Sequence, residues 1–265
     1  MTKGVVIIAI NNELIDYVKM AAWSARRIQH FLNLPTTIIT DSDIDQNCFD
    51  HVIKIPKHHN NQKYFHDYEK TTEWYNQSRP DVYQLTPYQQ TLVLDADYVV
   101  NSNQLTKLLD HQQDFLCPRL AYDVSDNTDR YYSLNFGKFQ MPMCWATVML
   151  FRKSRYAETI FHVMGMIRNH WSHYRNLYQI TNRLYRNDHA LSIALSIVNG
   201  HTVDYPTMSW PMATVMPAHN IDMIDFNKFK ITYNKNQTKY HINLIDQDFH
   251  AMNKKQLENV IENYT

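Results

Sequence analysis

Four carboxylate pairs in this 265-residue chain have the spacing Asp-x-Asp: Asp41/Asp43, Asp43/Asp45, Asp95/Asp97 and Asp246/Asp248. Context separates one of them from the rest. Asp95-Ala96-Asp97 follows Leu92-Val93-Leu94 and precedes Tyr98-Val99-Val100, so both carboxylates stand where an apolar strand ends. Open α/β sheets take their ligands at that edge. Alternation along an extended chain puts positions 95 and 97 on the same side. Two anions held so close repel unless a proton or cation lies between them. A hard divalent ion meets that need and leaves places for phosphate oxygens. The alternative is a pair of solvated carboxylates closing a strand.

The other acidic and imidazole groups divide by their neighbours. Asp41-Ser-Asp43-Ile-Asp45 begins like a calcium loop, but Gln46 stands at its sixth position and Val52 at its twelfth, which excludes an EF-hand. Asp41 also ends a strand at the same sheet edge, either as an acceptor for a nucleobase or ribose or as a solvated turn carboxylate. His58, His59, His66, His170 and His173 have no carboxylate or cysteine at ligand spacing and read as surface or satisfied core residues. Trp145 and Trp210 are either core residues or the floor of a sugar or base subsite.

Composition removes several function classes. Only four glycines are present (Gly4, Gly137, Gly165, Gly200), too far apart for any loop that cradles phosphate on bare backbone. Lys plus Arg and Asp plus Glu each number 26, which argues against a large basic footprint for nucleic acid. The three cysteines (Cys48, Cys117, Cys144) are widely spaced and form neither a disulfide framework nor a zinc knuckle. No apolar run approaches the ~20 residues of a membrane span, and the first residues lack the cleavage region of a signal peptide. A cytoplasmic location is expected.

The elements that must position these groups alternate. Residues 4–10 read as a buried strand, 14–32 as a helix capped by Asn11 or Asn12 with Pro35 beyond its end, and 36–40 and 52–55 as further strands. A helix is expected over about 64–77, strands over 91–100, 115–117 and 143–151, and a short helix over 104–109. Ser154 caps a helix with Ala157, Ile160, Phe161, Met164 and Ile167 inward, another spans 190–198 up to Asn199-Gly200, and the last starts near Asn253 with Gln256 at capping-box spacing. Strand-helix alternation predicts an α/β fold with a mostly parallel central sheet flanked by helices. One domain over 1–265 is expected, with a nucleotide-binding half over about 1–100 and a sugar and acceptor half over about 101–265.

Strand, helix, a strand ending Thr40-Asp41, Arg79, then Leu94-Asp95-Ala96-Asp97 resembles the metal-dependent nucleotide-sugar glycosyltransferases of the GT-A fold, family 8 (glycogenin- and galactosyltransferase-like) in particular. The order of elements matches over roughly 4–255, the motifs over four short stretches. The resemblance implies a nucleotide-sugar donor, a UDP-sugar first, bound by Ala9, Asn11, Tyr17, Asp41, Arg79, Asp95 and Ala96. It implies Mn²⁺ or Mg²⁺ on Asp95 and Asp97, with a third ligand from a C-terminal histidine stretch. Asp248-Phe-His-Ala-Met-Asn-Lys254 is similar to that stretch but lacks its glycine and Pro-Trp, so His250 is the ligand implied, with His241 in reserve. Asp188, in Asn187-Asp188-His189-Ala190, is similar to the family's sugar-pocket aspartate. It is expected to act with Asp97 in catalysis, by orienting sugar hydroxyls, stabilising an oxocarbenium-like centre or deprotonating the acceptor, while helix capping is its ordinary alternative. Arg79 likewise either reads phosphate or is an arginine before Pro80 with no specific partner.

Transfer of a hexosyl or pentosyl group to a hydroxyl acceptor is the expected activity. The alternatives are a viral-type transferase acting on hydroxymethyl-pyrimidine bases in DNA, served by patches such as Lys254-Lys255 or Arg183 with Arg186, a sugar nucleotidyltransferase, and a non-catalytic sugar-nucleotide-binding protein.

Overall fold

The computed structural model describes residues 2–44, 46–57, 61–125, 134–225 and 227–263. Asp45, His58 and His59 lie outside them. Strand β1 (Lys3–Ile8), helix α1 (Tyr17–Leu32), β2 (Thr36–Thr40) and β3 (His51–Lys54) form the expected strand-helix-strand start, with the three strands parallel. The helix begins later than its apolar spacing suggests. Asn11 Oδ1 accepts from Val18 N, Asn12 Oδ1 accepts from Leu14 N and Ile15 N, and the cap is Asp16, which accepts from Lys19 N at 2.9 Å. Asn12 therefore shapes the loop before the helix, while Asn11 reaches over that loop to satisfy a first-turn N–H without standing at the cap position.

The expected helix over 64–77 is instead an antiparallel hairpin, β4 (Asn61–Phe65) and β5 (Lys70–Trp74). Tyr64, Phe65, Tyr68 and Trp74 make no continuous helical stripe, Thr71 and Thr72 are β-branched, and Glu69 closes the turn at φ 50°. A 3₁₀ turn at Arg79–Asp81 and α2 (Val82–Leu85) lead into β6 (Gln90–Leu94) and β7 (Tyr98–Val99). Next come α3 (Thr106–Leu109), β8 (Phe115–Leu116), β9 (Ala121–Asp123), β10 (Asn135–Phe136), β11 (Met141–Pro142) and β12 (Val148–Arg152). Helices α4 (Arg155–Asn169), α5 (Trp171–Leu177) and α6 (Asn187–Val198) precede β13 (Met212–Val215), β14 (Asn220–Asp225), β15 (Lys228–Lys235), β16 (Thr238–Ile245), β17 (Phe249–Ala251) and α7 (Lys254–Glu262).

The central sheet has the order β3-β2-β1-β6-β12-β8; its first four strands are parallel and β12 runs against both neighbours. This is the α/β architecture with a mostly parallel sheet. Alternation sorts its residues to two faces. Val5, Ile7, Leu92 and Leu94 pack with Met20, Ala21 and Ile28 of α1. Val6, Ile39 and Val93 pack with Ile160, Phe161 and Met164 of α4 and Leu191 and Ala194 of α6. Burial on both faces is why these strands read as unbroken apolar runs.

A second sheet, β7-β17-β13-β9, lies next to the first along the chain's Asp-x-Asp turn. A third, the antiparallel β14-β15-β16, buries Phe229 edge-on against Trp23 (centroids 6.0 Å apart) and Phe249 (5.2 Å). Among the described residues no helix is long and apolar enough to cross a membrane.

Candidate active site

Strand β6 does not continue through the acidic pair. Tyr98 N donates to Asp95 O (3.0 Å) and Asp95 N donates to Thr147 O (3.0 Å), so Asp95-Ala96-Asp97 forms a tight turn. The same-side alternation expected of an extended chain gives way to two carboxylates with different basic partners. Asp95 accepts from Arg79 Nη2, while Arg79 Nη1 donates to Ala146 O at 3.0 Å. Asp97 Oδ2 lies 2.5 Å from Lys254 Nζ and 3.4 Å from His250 Nε2.

The second sheet and α7 bring those partners. Strand β17 pairs with β7 so that His250 faces Tyr98, and Ala251 N donates to Asp97 O at 2.9 Å. Helix α7 starts directly afterwards, capped by Asn253 accepting from Gln256 N, and its first residue is Lys254. The capping-box spacing seen in the sequence thus aims Lys254 at the acidic turn. Burial pushes the Asp97 carboxyl up, but the charges of Lys254 and His250 outweigh it and hold it well below the usual carboxylate range. Arg79 is only 7% exposed, and burial pulls its guanidinium down to about 10 against the opposing pull of Asp188 and Asp97. It stays charged at neutral pH.

Asp188 stands in the first turn of α6. Its Oδ1 accepts from Ala146 N (2.9 Å) and its Oδ2 from Arg186 Nη2 (3.4 Å). Its carbonyl accepts from Ser192 Oγ (2.6 Å), which in turn accepts from Cys144 N (2.7 Å). Residues 144–147 therefore bracket the site: they hold Asp188, Arg79 and Asp95 through main-chain groups.

These groups line one cavity of about 350 Å³, which is enough for a small-molecule ligand. Of the residues singled out in the sequence, Tyr17, Arg79, Asp95, Ala96, Asp97, Trp145, Asp188, His250 and His66 line it. The Tyr17 hydroxyl is buried with no hydrogen-bond partner among the described residues, and burial together with the charge on Asp97 raises its pKa well above the ordinary phenol value.

Three expected donor-binding residues are engaged elsewhere. Ala9 is buried in the sheet with its N–H on Ile39 O (2.9 Å), Asn11 holds the loop before α1, and Asp41 lies 3.3 Å from Lys57 Nζ. His241 is on the third sheet, bonded to Thr232 Oγ1 (3.0 Å), so of the two candidate histidines it is His250 that reaches the acidic turn. Trp210 packs against the core, and His170 and His173 are exposed. Asp248 is also no ligand; it is buried, accepting from Asn101 N (2.7 Å) and Ser102 Oγ (3.0 Å).

Sequence reasoning passed over Lys63 and Asp67, both on the unexpected hairpin, noted Arg186 only in a basic patch, and gave Lys254 no role beyond such a patch and the end of the histidine stretch. With them the cavity is lined by four carboxylates (Asp67, Asp95, Asp97, Asp188) and four basic side chains (Lys63, Arg79, Arg186, Lys254). The clues to Lys254 were the cap at Asn253 and its place at the end of the stretch 248–254.

Asp95, Asp97 and His250 each offer a ligand atom, and these atoms lie within 4.8 Å of one another. His250 Nδ1 is buried with no hydrogen-bond partner among the described residues. Two carboxylates and an imidazole suit a divalent ion of the Mn²⁺ or Mg²⁺ kind, so the residues present fit such an ion.

No protein-family model matches the sequence, and neither does any curated protein. Among solved structures, the glycosyltransferase GlyE of Streptococcus pneumoniae TIGR4 is similar over 79% of this chain and 45% of its own, at 13% identity and a TM-score of 0.41. This chain thus spans less than half the length of GlyE. The galactosyltransferase LgtC, solved with donor and acceptor sugar analogues, is similar over 72% of this chain and 70% of its own, at 11% identity and a TM-score of 0.45. The bifunctional IspDF of Campylobacter jejuni is similar over 73% of this chain and 47% of its own, at 8% identity and a TM-score of 0.36. The chemistry of the site is read from its own geometry.

Proposed function

We propose that this chain is a metal-dependent glycosyltransferase that moves a sugar from a nucleoside-diphosphate sugar, UDP-linked in the first instance, to a hydroxyl acceptor. One observation carries the reading: Asp95, Asp97 and His250 converge within 4.8 Å in a cavity that Arg79, Lys254 and Asp188 also line. Asp95, Asp97 and His250 would hold Mn²⁺ or Mg²⁺, which when bound supplies positive charge for the departing diphosphate. Arg79 positions the Asp95 carboxylate and the Ala146 carbonyl together, so its effect on the donor runs through Asp95. Lys254 Nζ, at the same carboxylate as His250, supplies a second positive charge next to the leaving group. Asp188, with Oδ1 fixed by Ala146 N, presents its carboxylate to the sugar hydroxyls. Trp145, at the cavity wall, gives the sugar an apolar face to lie against.

Charge balance yields a prediction. Counted as carboxylates against Lys and Arg, the cavity's charges nearly balance, so a divalent ion alone leaves excess positive charge, and a diphosphate alone leaves excess negative charge. Metal and diphosphate should therefore bind together. Isothermal titration calorimetry is expected to show Mn²⁺ binding at least ~10-fold tighter with UDP present, and UDP tighter by the same factor with Mn²⁺ present, as linkage requires. Independent binding would contradict this charge argument. The activity itself is tested by a donor screen: hydrolysis of at least one nucleotide-sugar in Mn²⁺, abolished by chelation. Failure with every nucleotide-sugar would count against the proposed reaction.

A further inference from the structure

Lys63 enters the cavity from β4, on a hairpin the sequence did not announce. Its ammonium lies 4.3 Å from the Trp74 ring centroid and 5.2 Å from that of Phe65. Among the described residues it has no carboxylate ion-pair partner, whereas Arg79 has Asp95 and Lys254 has Asp97. Two aromatic faces attract an ammonium by about 0.5–2 kcal/mol, less than the several kcal/mol that drying an ammonium costs. A half-buried cation with so little compensation is poised for an anion.

Arg186 completes the arrangement. Its Nη2 is 3.4 Å from Asp188 Oδ2, while its Nε is buried with no hydrogen-bond partner among the described residues. Lys63 and Arg186 line the same cavity and repel each other, as do Lys63 and Lys254. Like charges gathered around one space are relieved by a counterion between them, the mirror image of the Asp95/Asp97 argument.

We propose that Lys63 and Arg186 form a phosphate subsite, which takes the distal phosphate of a nucleoside diphosphate. The identity of that carrier rests on the transferase reading; the subsite itself rests on the two side chains. A supporting sign is that burial, reinforced by Lys254 and Arg186, pulls the Lys63 ammonium down to about 7 against the opposing pull of Asp97 and Asp188. An arriving phosphate restores its full charge. The hairpin thereby contributes directly to ligand binding, with Trp74 and Phe65 setting the direction of the Lys63 side chain.

Calorimetric binding of UDP, UMP and inorganic pyrophosphate in Mn²⁺ tests the proposal on wild type, Lys63→Met, Lys63→Arg and Arg186→Met, with circular dichroism checking that each variant folds. The expected result is a loss of at least tenfold in UDP affinity for Lys63→Met and Arg186→Met, with UMP affinity changed less than threefold. Lys63→Arg should keep UDP binding within threefold of wild type. UDP bound equally by wild type and by either methionine variant overturns the subsite while leaving the transferase reading standing. Should Lys63→Met fail to fold, the Arg186→Met comparison decides. If wild type binds neither nucleotide, the transferase reading fails. Lys63-dependent pyrophosphate binding would then still support the subsite, and its absence would overturn that too.

Discussion

Replacing Asp97 with alanine is expected to lower turnover of the nucleotide-sugar donor by about 1,000-fold, the scale of losing a principal stabiliser of developing charge. The carboxylate is 5% exposed and has Lys254 and His250 on one oxygen. On the proposed reading its removal would take away a metal ligand and free Lys254 from its place beside the leaving group. The fold should survive at a cost of about 3 kcal/mol: Lys254, 14% exposed, is left without its partner, while Asp97's main-chain contact to Ala251 N does not depend on its side chain. Asp97→Asn, which keeps the shape and one ligand oxygen, should fall between the two. Steady-state rates at saturating donor, alongside a thermal melt, separate these outcomes. Turnover within threefold of wild type in a folded Asp97→Ala protein would remove Asp97 from the chemistry.

Arg79→Met is expected to cost about 3 kcal/mol of stability, the usual cost of breaking a buried charge pair from one side. The stem volume is kept, so cavity formation contributes little. What is lost is the guanidinium that joins the 3₁₀ turn Arg79–Asp81 to Asp95 and to Ala146 O. Asp95, a quarter exposed, then keeps a charge without its partner. For a chain of this size that loss lowers the melting temperature by about 6–12 °C. Donor turnover should fall as well, since Asp95 and the Ala146 segment that holds Asp188 are both released. A melting temperature within 2 °C of wild type would mean that water already serves Asp95.

The central sheet was legible because burial on both faces writes itself as unbroken apolar runs, as at Val5–Ile7 and Leu92–Leu94. Ser154 and Asn253 announced their helices through side chains that cap them. The Asp95/Asp97 pair was legible through its place at a strand end, although the geometry that joins it is a turn rather than alternation. His250 was harder to read, since nothing local to it shows that β17 pairs with β7. That pairing spans some 150 residues, and local sequence has no record of it.

The hairpin 61–74 failed for a different reason. Its apolar residues are few and face a polar cavity, so neither helical nor alternating period dominates. Lys63, Asp67 and Trp74 were missed with it. Asp41 and Asn11 illustrate the opposite error, in which a good position along a sheet edge concealed a nearby partner, Lys57 for one and the start of α1 for the other.

The most direct measurement is the stoichiometry and affinity of Mn²⁺ binding with saturating UDP, compared among wild type, Asp97→Ala, His250→Ala and His241→Ala. The account predicts one ion per wild-type chain, a loss of at least tenfold in affinity for Asp97→Ala and His250→Ala, and no change for His241→Ala. Unaltered Mn²⁺ affinity in both Asp97→Ala and His250→Ala would contradict it.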